Sequence, residues 1–233
     1  MWEMTRRSER TRPSRLCFDG WIAGLGTSSG VRIVVGCWAA SPFGAFTDVM
    51  VERGDGQRIL LAPHTDVARF VSATYRFDTT VVTPVDLQTR WPHVELSAGP
   101  LTLQFTTGGR TPLGWLLRAI PASIAATPAW ASAVDPIARL VLPGVRATGS
   151  AGGGRREWYG ARDLHRIVAA SGSLDGTVLG RLAPVAPAVR FGFGSVPRRP
   201  SLVTVVTTVE GFGIVVARND LAGRRQAADQ EEN

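Results

Sequence analysis

A chain of 233 residues, 44% of them hydrophobic and with a mean hydropathy of +0.06, has the make-up of a soluble globular protein with one large β-rich core. All 26 basic residues are arginine. This excludes a Schiff-base lysine, a P-loop lysine and a lysine general base. No run of about 18 apolar residues is present to span a membrane, and the basic start has no apolar segment before Cys17, so the expected compartment is the cytoplasm.

The formal net charge of +7 is unevenly placed. Arg6, Arg7, Arg10, Arg12 and Arg15 stand against Glu3 and Glu9 at the start, which predicts a disordered basic arm over residues 1–14. The remaining arginines are scattered rather than striped, so no nucleic acid is expected as a partner. Residues 15–218 are expected to form a single β-rich domain, followed by a polar, disordered tail over 219–233.

LCFDGWIA and VRIVVGCW read as two strands joined by GLGTSSG. A hairpin centred on Thr27 sets Cys17 opposite Cys37, as small reduced thiols with no Cys-x-x-Cys pattern. The glycine spacing of that loop departs from the dinucleotide fingerprint, and β-branched residues follow it where a helix would have to start. The densest pattern comes next. FTDVMVE and RILLAP flank Gly54-Asp55-Gly56, which predicts a hairpin at the centre of the sheet. Alternation puts Phe46, Asp48 and Met50 on one face of its first strand. A carboxylate between two apolar residues needs a partner, an open face or a function.

Thr65 is placed to cap a short helix, DVARFVSA, that lies on the sheet. TYRFDTTVVTPVDLQ, HVELSAG and PLTLQFTTGG return to strand patterns, the last two turned at Gly99-Pro100. His64 and His93 are isolated, and no metal or cofactor site is expected. Over about 111–142, Thr111-Pro112, Thr127-Pro128 and Asp135-Pro136 predict three short helices that pack as a cap over the sheet.

GSAGGGR lacks the lysine and the helix of a phosphate loop and reads as a hairpin connection. RREWYG and LHRIVAAS can pair across Gly160-Ala161-Arg162-Asp163, which would bring Glu157, Trp158 and Tyr159 close to His165 and Arg166. Either this is an acid, base and anion-holding cluster, or Glu157 and Arg166 form an exposed cross-strand ion pair. A strand over LVTVVTTVE and a final strand, IVVAR, close the pattern.

GWIAGLGTSSGVRIVVG, SPFGAFTDVMVE, GSAGGGRREWYG and RFGFGSVPRRPS resemble a group of conserved hypothetical proteins from high-GC Gram-positive bacteria. The resemblance covers roughly Gly20 to Val209. It implies no activity and agrees with the arginine-only composition and a cytoplasmic setting. Enzymes similar to acetoacetate decarboxylase are α+β barrels of about this length, but their chemistry needs a Schiff-base lysine. A shared fold would not mean a shared reaction.

The expected fold is α+β, a mainly antiparallel β-barrel or sandwich with a short-helix cap over about 111–142, and closure would remove exposed strand edges. Three functions remain open. The first is a binding protein whose partner is a small apolar molecule, held in the barrel's cavity by Phe46, Met50, Trp115 and Trp158. The second is an enzyme using Asp48, Glu157, Tyr159, His165 and Arg166. The third is an interaction module, and a homo-oligomer is compatible with each.

Overall fold

The computed structural model describes residues 14–121, 124, 127, 129–130, 148–192 and 196–211. The expected arm before Ser14, the strand IVVAR, the tail and most of the expected helical cap lie outside the described residues. The first four strands are β1 (Ser14–Thr27), β2 (Arg32–Ala40), β3 (Phe46–Glu52) and β4 (Arg58–Ala62), of which β2 and β3 carry the β-branched residues that favour a strand. α1 (Thr65–Thr74) then leads into β5 (Thr79–Val82), β6 (Val85–Arg90), β7 (His93–Ala98) and β8 (Leu101–Arg110). α2 (Pro112–Arg118), β9 (Thr148–Ala151), β10 (Arg155–Leu174), β11 (Thr177–Val178), β12 (Leu182–Ala183) and β13 (Ser201–Gly211) follow.

The strands make one curled sheet in the order β5-β4-β3-β2-β1-β13-β10-β8-β7-β6. Every pair along it is antiparallel except β4 with β5, which α1 connects as a parallel crossover. The two end strands are consecutive in sequence, with only Thr83 and Pro84 between them. The sheet therefore has to bend until its ends meet, and it is a partly closed barrel. Its interior is filled by apolar side chains from both halves, Leu25, Ile33, Val49 and Leu61 facing Leu96, Leu103 and Phe105. These apolar rows form the largest of the buried clusters among the described residues.

Three expectations change. The β1–β2 turn is centred on Ser29, since Trp21 faces Cys37 and Gly26 faces Arg32, while Cys17 faces Thr208 of β13. The position that needs positive φ is Gly30, at +84°, four residues beyond the second glycine of GLG. Cys17 and Cys37 are both free thiols. The hairpin closed by Gly54-Asp55-Gly56 forms, with Gly56 at φ +93° and Glu52 opposite Arg58, but it sits toward one end of the sheet. The middle is taken by the long strands β1, β13 and β10.

The third change concerns β10. RREWYG and LHRIVAAS do not fold back on each other but run on as one strand of 20 residues. No residue from 160 to 163 has the positive φ that a tight hairpin turn requires, and β13 offers a partner along the whole length, with a bulge between Ala161 and Asp163. The glycine-rich stretch before it is the hairpin instead, pairing β9 with β10.

The outer face of β1 to β4 is covered too. Val67, Ala68 and Val71 of α1 pack on Phe18, Phe46, Leu60 and Ala62. His64, not Thr65, occupies the cap position of α1 and makes no side-chain capping bond. Beside α1, residues 185–191 cross the face as a strap, and Val185 and Phe191 bury Val34. α2 is capped as its sequence predicts, Thr111 Oγ1 accepting from the Gly114 N–H at 3.0 Å with Pro112 at the first turn. Among the described residues no helix is long and apolar enough to cross a membrane.

The strap is fastened at Glu52, which is fully buried. Arg32, also buried, lies 2.8 Å from Glu52 Oε1, and Arg190 donates its backbone N–H to Oε2 at 2.7 Å and its Nε–H to Oε1 at 3.0 Å. Glu52→Ala leaves the Arg32 charge buried and unmatched, so it is expected to cost about 3–5 kcal/mol in urea unfolding. Arg190→Ala keeps the Arg32 pair, and a smaller loss is expected, with faster amide exchange confined to the strap.

Candidate functional site

Between this outer face and α1 lies a narrow, partly open cleft of about 50 Å³. Its walls come from distant parts of the chain. β3 supplies Phe46, Asp48 and Met50, β10 supplies Glu157 and Tyr159, and β13 supplies Thr207 and Val209. Tyr75, the residue after α1, reaches in from above, and Phe70 of α1 closes the top. The period of two that puts Asp48 beside Phe46 and Met50 also puts Glu157 beside Tyr159, so each strand offers one acid to the same face.

Asp48 is held flat against β2. It faces Gly36 across the ladder, and its Oδ1 accepts the Trp38 indole N–H at 3.0 Å. A methyl group at position 36 would lie 2.8 Å from Asp48 Oδ1 and 2.9 Å from Trp38 Nε1, so only glycine leaves room for this bond. Burial pushes the Asp48 carboxyl up to about 7, against the opposing effect of the Trp38 bond.

Glu157 is the centre of a second group. Tyr75 donates its hydroxyl proton to Glu157 Oε1 at 2.6 Å, and the Tyr159 hydroxyl lies 2.7 Å from that of Tyr75. Tyr159 is thus hydrogen-bonded to Tyr75 and also interacts with the Glu157 carboxyl. Burial again pushes Glu157 up to about 7, while Tyr75, Tyr159 and the charge of Arg155 pull it down. Burial first, and then the Glu157 charge, raise both phenols well above their ordinary range. Glu157 Oε2 and Thr207 Oγ1 are buried without a hydrogen-bond partner among the described residues.

The structure thus brings Asp48, Glu157, Tyr159, Phe46 and Met50 to one cleft and sets the other candidates elsewhere. His165 is half-buried near α2, its Nδ1 3.3 Å from the Gly108 carbonyl and its Nε2 3.5 Å from Asp163. Asp163 is bound by Arg110 at 2.8 and 3.0 Å and by the Leu164 N–H at 2.8 Å. Burial raises its pKa, but these bonds win and the net shift is downward. Arg166 is exposed and faces Ser201, whereas Glu157 faces Val209, so neither an exposed Glu157–Arg166 pair nor a shared cluster forms. Trp158 lies under Arg156, and Trp115 is exposed on α2 beneath Arg110.

Tyr75, Trp38, Phe18, Phe70 and Thr207 escaped sequence reasoning. One signal was available: the chain has two tyrosines, and both meet at Glu157. Among the described residues no group of three or more His, Cys, Asp or Glu is placed to hold a metal ion.

No family model matches the chain, and no curated protein matches it. Among solved structures, the acetoacetate decarboxylase of Legionella pneumophila aligns over 87% of each chain at 12% identity with a TM-score of 0.40. A likeness that distant carries no inference about chemistry.

Two predictions follow from this geometry. Gly36→Ala is expected to displace the Trp38 indole from Asp48, shifting its N–H resonance and destabilising the fold by about 1–3 kcal/mol. The second concerns pH. Because folding raises the pKa of Asp48 and Glu157, their contribution is fully present below the ordinary carboxylate range and is lost as pH rises through about 7. Asp48→Asn and Glu157→Gln should therefore flatten the fall in stability between roughly pH 4 and pH 8 by a few kcal/mol each, read from urea midpoints across that range.

Proposed function

We propose that this chain binds a small, largely apolar molecule in the cleft under α1, oriented by one polar group directed at Glu157. The observation that carries this reading is Glu157 itself. A 2%-exposed carboxyl with one oxygen held by Tyr75 and the other unmatched costs about 1–3 kcal/mol that a folded chain ordinarily avoids. A ligand donor would recover that cost. Thr207 Oγ1, in the same wall, offers a second unmatched group. The aromatic and aliphatic remainder suits an apolar body. A cleft of this volume takes a ligand of a few heavy atoms, or the tip of a longer one entering from the open side.

General acid–base catalysis on the bound molecule is a second reading. It is favoured by the Tyr75-linked Glu157 carboxyl, whose pKa of about 7 suits proton transfer near neutrality. We place the protein in the cytoplasm, a setting that fits its two free thiols.

Native mass spectrometry of the purified chain, followed by denaturing extraction, tests the binding reading. Wild-type protein is expected to carry or take up small molecules, and Val209→Phe, which fills the cleft, is expected to lose them while remaining folded by circular dichroism. Uptake unchanged by Val209→Phe would count against the cleft.

A further inference from the structure

This inference rests on the binding reading and gives its ligand a charge. The chain has 26 arginines, yet among the described residues no arginine and no histidine lines the cleft. Two carboxyls do, and around them stand the rings of Phe18, Trp38, Phe46 and Phe70 with the two tyrosines. Phe18 packs edge-on to Trp38 at 5.7 Å and stacks on Phe70 at 5.3 Å, so the aromatic walls are mutually braced. Acidic groups enclosed by aromatic faces, with no cationic side chain among the described residues of the lining, are the complement of an organic cation.

We propose that the cleft takes a small organic monocation, an alkylammonium whose N–H groups meet Glu157 and Thr207 and whose alkyl part lies among the aromatic rings. Among the described residues Glu157 Oε2 and Thr207 Oγ1 are buried acceptors in this wall without a hydrogen-bond partner, and an ammonium group supplies several donors at once. Arg155 is the nearest cation to Glu157, but its guanidinium is engaged outside the lining. It stacks on Phe70 at 5.1 Å and donates to Thr74 Oγ1 at 2.6 Å and to the Phe70 carbonyl at 3.2 Å. Asp48, already bonded to Trp38, adds negative potential rather than a direct contact.

Proton and cation then compete for the same carboxylate. Tyr75 from the end of α1, Tyr159 and Arg155 from β10 and Asp48 from β3 are the titratable groups facing Glu157 among the described residues. Below about pH 7 the carboxyl holds a proton and has no charge to offer. Binding an ammonium there releases that proton to solvent. Affinity for the cation therefore rises with pH until the amine itself deprotonates, at about 10.

The test is titration of the full chain with n-butylammonium and with n-butanol at constant ionic strength, followed by NMR on the Trp38 indole N–H. The expected result is butylammonium binding about tenfold tighter than butanol at pH near 8, a difference of about 1.4 kcal/mol. That advantage should shrink toward pH 6 and in Glu157→Gln, with butanol binding unchanged. Butanol binding as tightly as the amine, or an amine affinity flat across this pH range, overturns the cationic ligand and leaves the binding reading intact. If Glu157→Gln fails to fold, the wild-type pH series decides alone. Neither probe moving Trp38 at any pH overturns both.

Discussion

The buried charge pair at Glu52 is the constraint from which the site derives. A sheet curled so that one face fills its own lumen would ordinarily leave the other face to solvent. Here Glu52 is drawn out of water between Arg32 and Arg190, and in exchange the strap carrying Val185 and Phe191 is fixed across β2 and β3. Such a pair adds little net stability, since its desolvation offsets most of its Coulomb energy. Its effect is positional. With the strap in place, Phe77 packs on Phe191 at 5.6 Å and the Arg76 N–H bonds the Phe191 carbonyl at 2.6 Å, which sets the segment that delivers Tyr75.

The second core thus created is unlike the first. The lumen holds a large apolar cluster, whereas the outer layer encloses Asp48, Glu157, two phenols and Thr207. The two acids are neighbours in neither sequence nor sheet order, for β2, β1 and β13 lie between β3 and β10. Helix α1 makes them parts of one cleft by roofing the face between them. Gly36 in this span lets Asp48 lie down on its neighbour strand, so a missing side chain is as much a part of the site as those present.

Local chemistry was legible where it is decided locally. The Gly54-Asp55-Gly56 turn, the Gly99-Pro100 turn, the Thr111-Pro112 helix start and the Phe46, Asp48, Met50 face all follow from neighbours in sequence. What failed was decided by partners far away. GARD reads as a turn until β13 offers β10 a ladder on both sides of a single bulge, and the Cys17–Cys37 register fails because the turn centres on Ser29, with Gly30 taking the positive φ. Tyr75 and Thr207 could not be assigned to the site from their own surroundings. Their role depends on strand order, which no short window of sequence contains.

Strand order also sets a timetable. β13 is the last described strand, yet it lies between β1, the first, and β10, pairing Leu16 with Val209 and Tyr159 with Thr207. On the ribosome β1 is complete long before β13 emerges, and at roughly 5–20 residues per second the interval is on the order of ten to forty seconds. Through that interval an edge rich in apolar residues waits without its partner. Contacts spanning most of the chain close last, so the protein belongs with slow, high-contact-order folders.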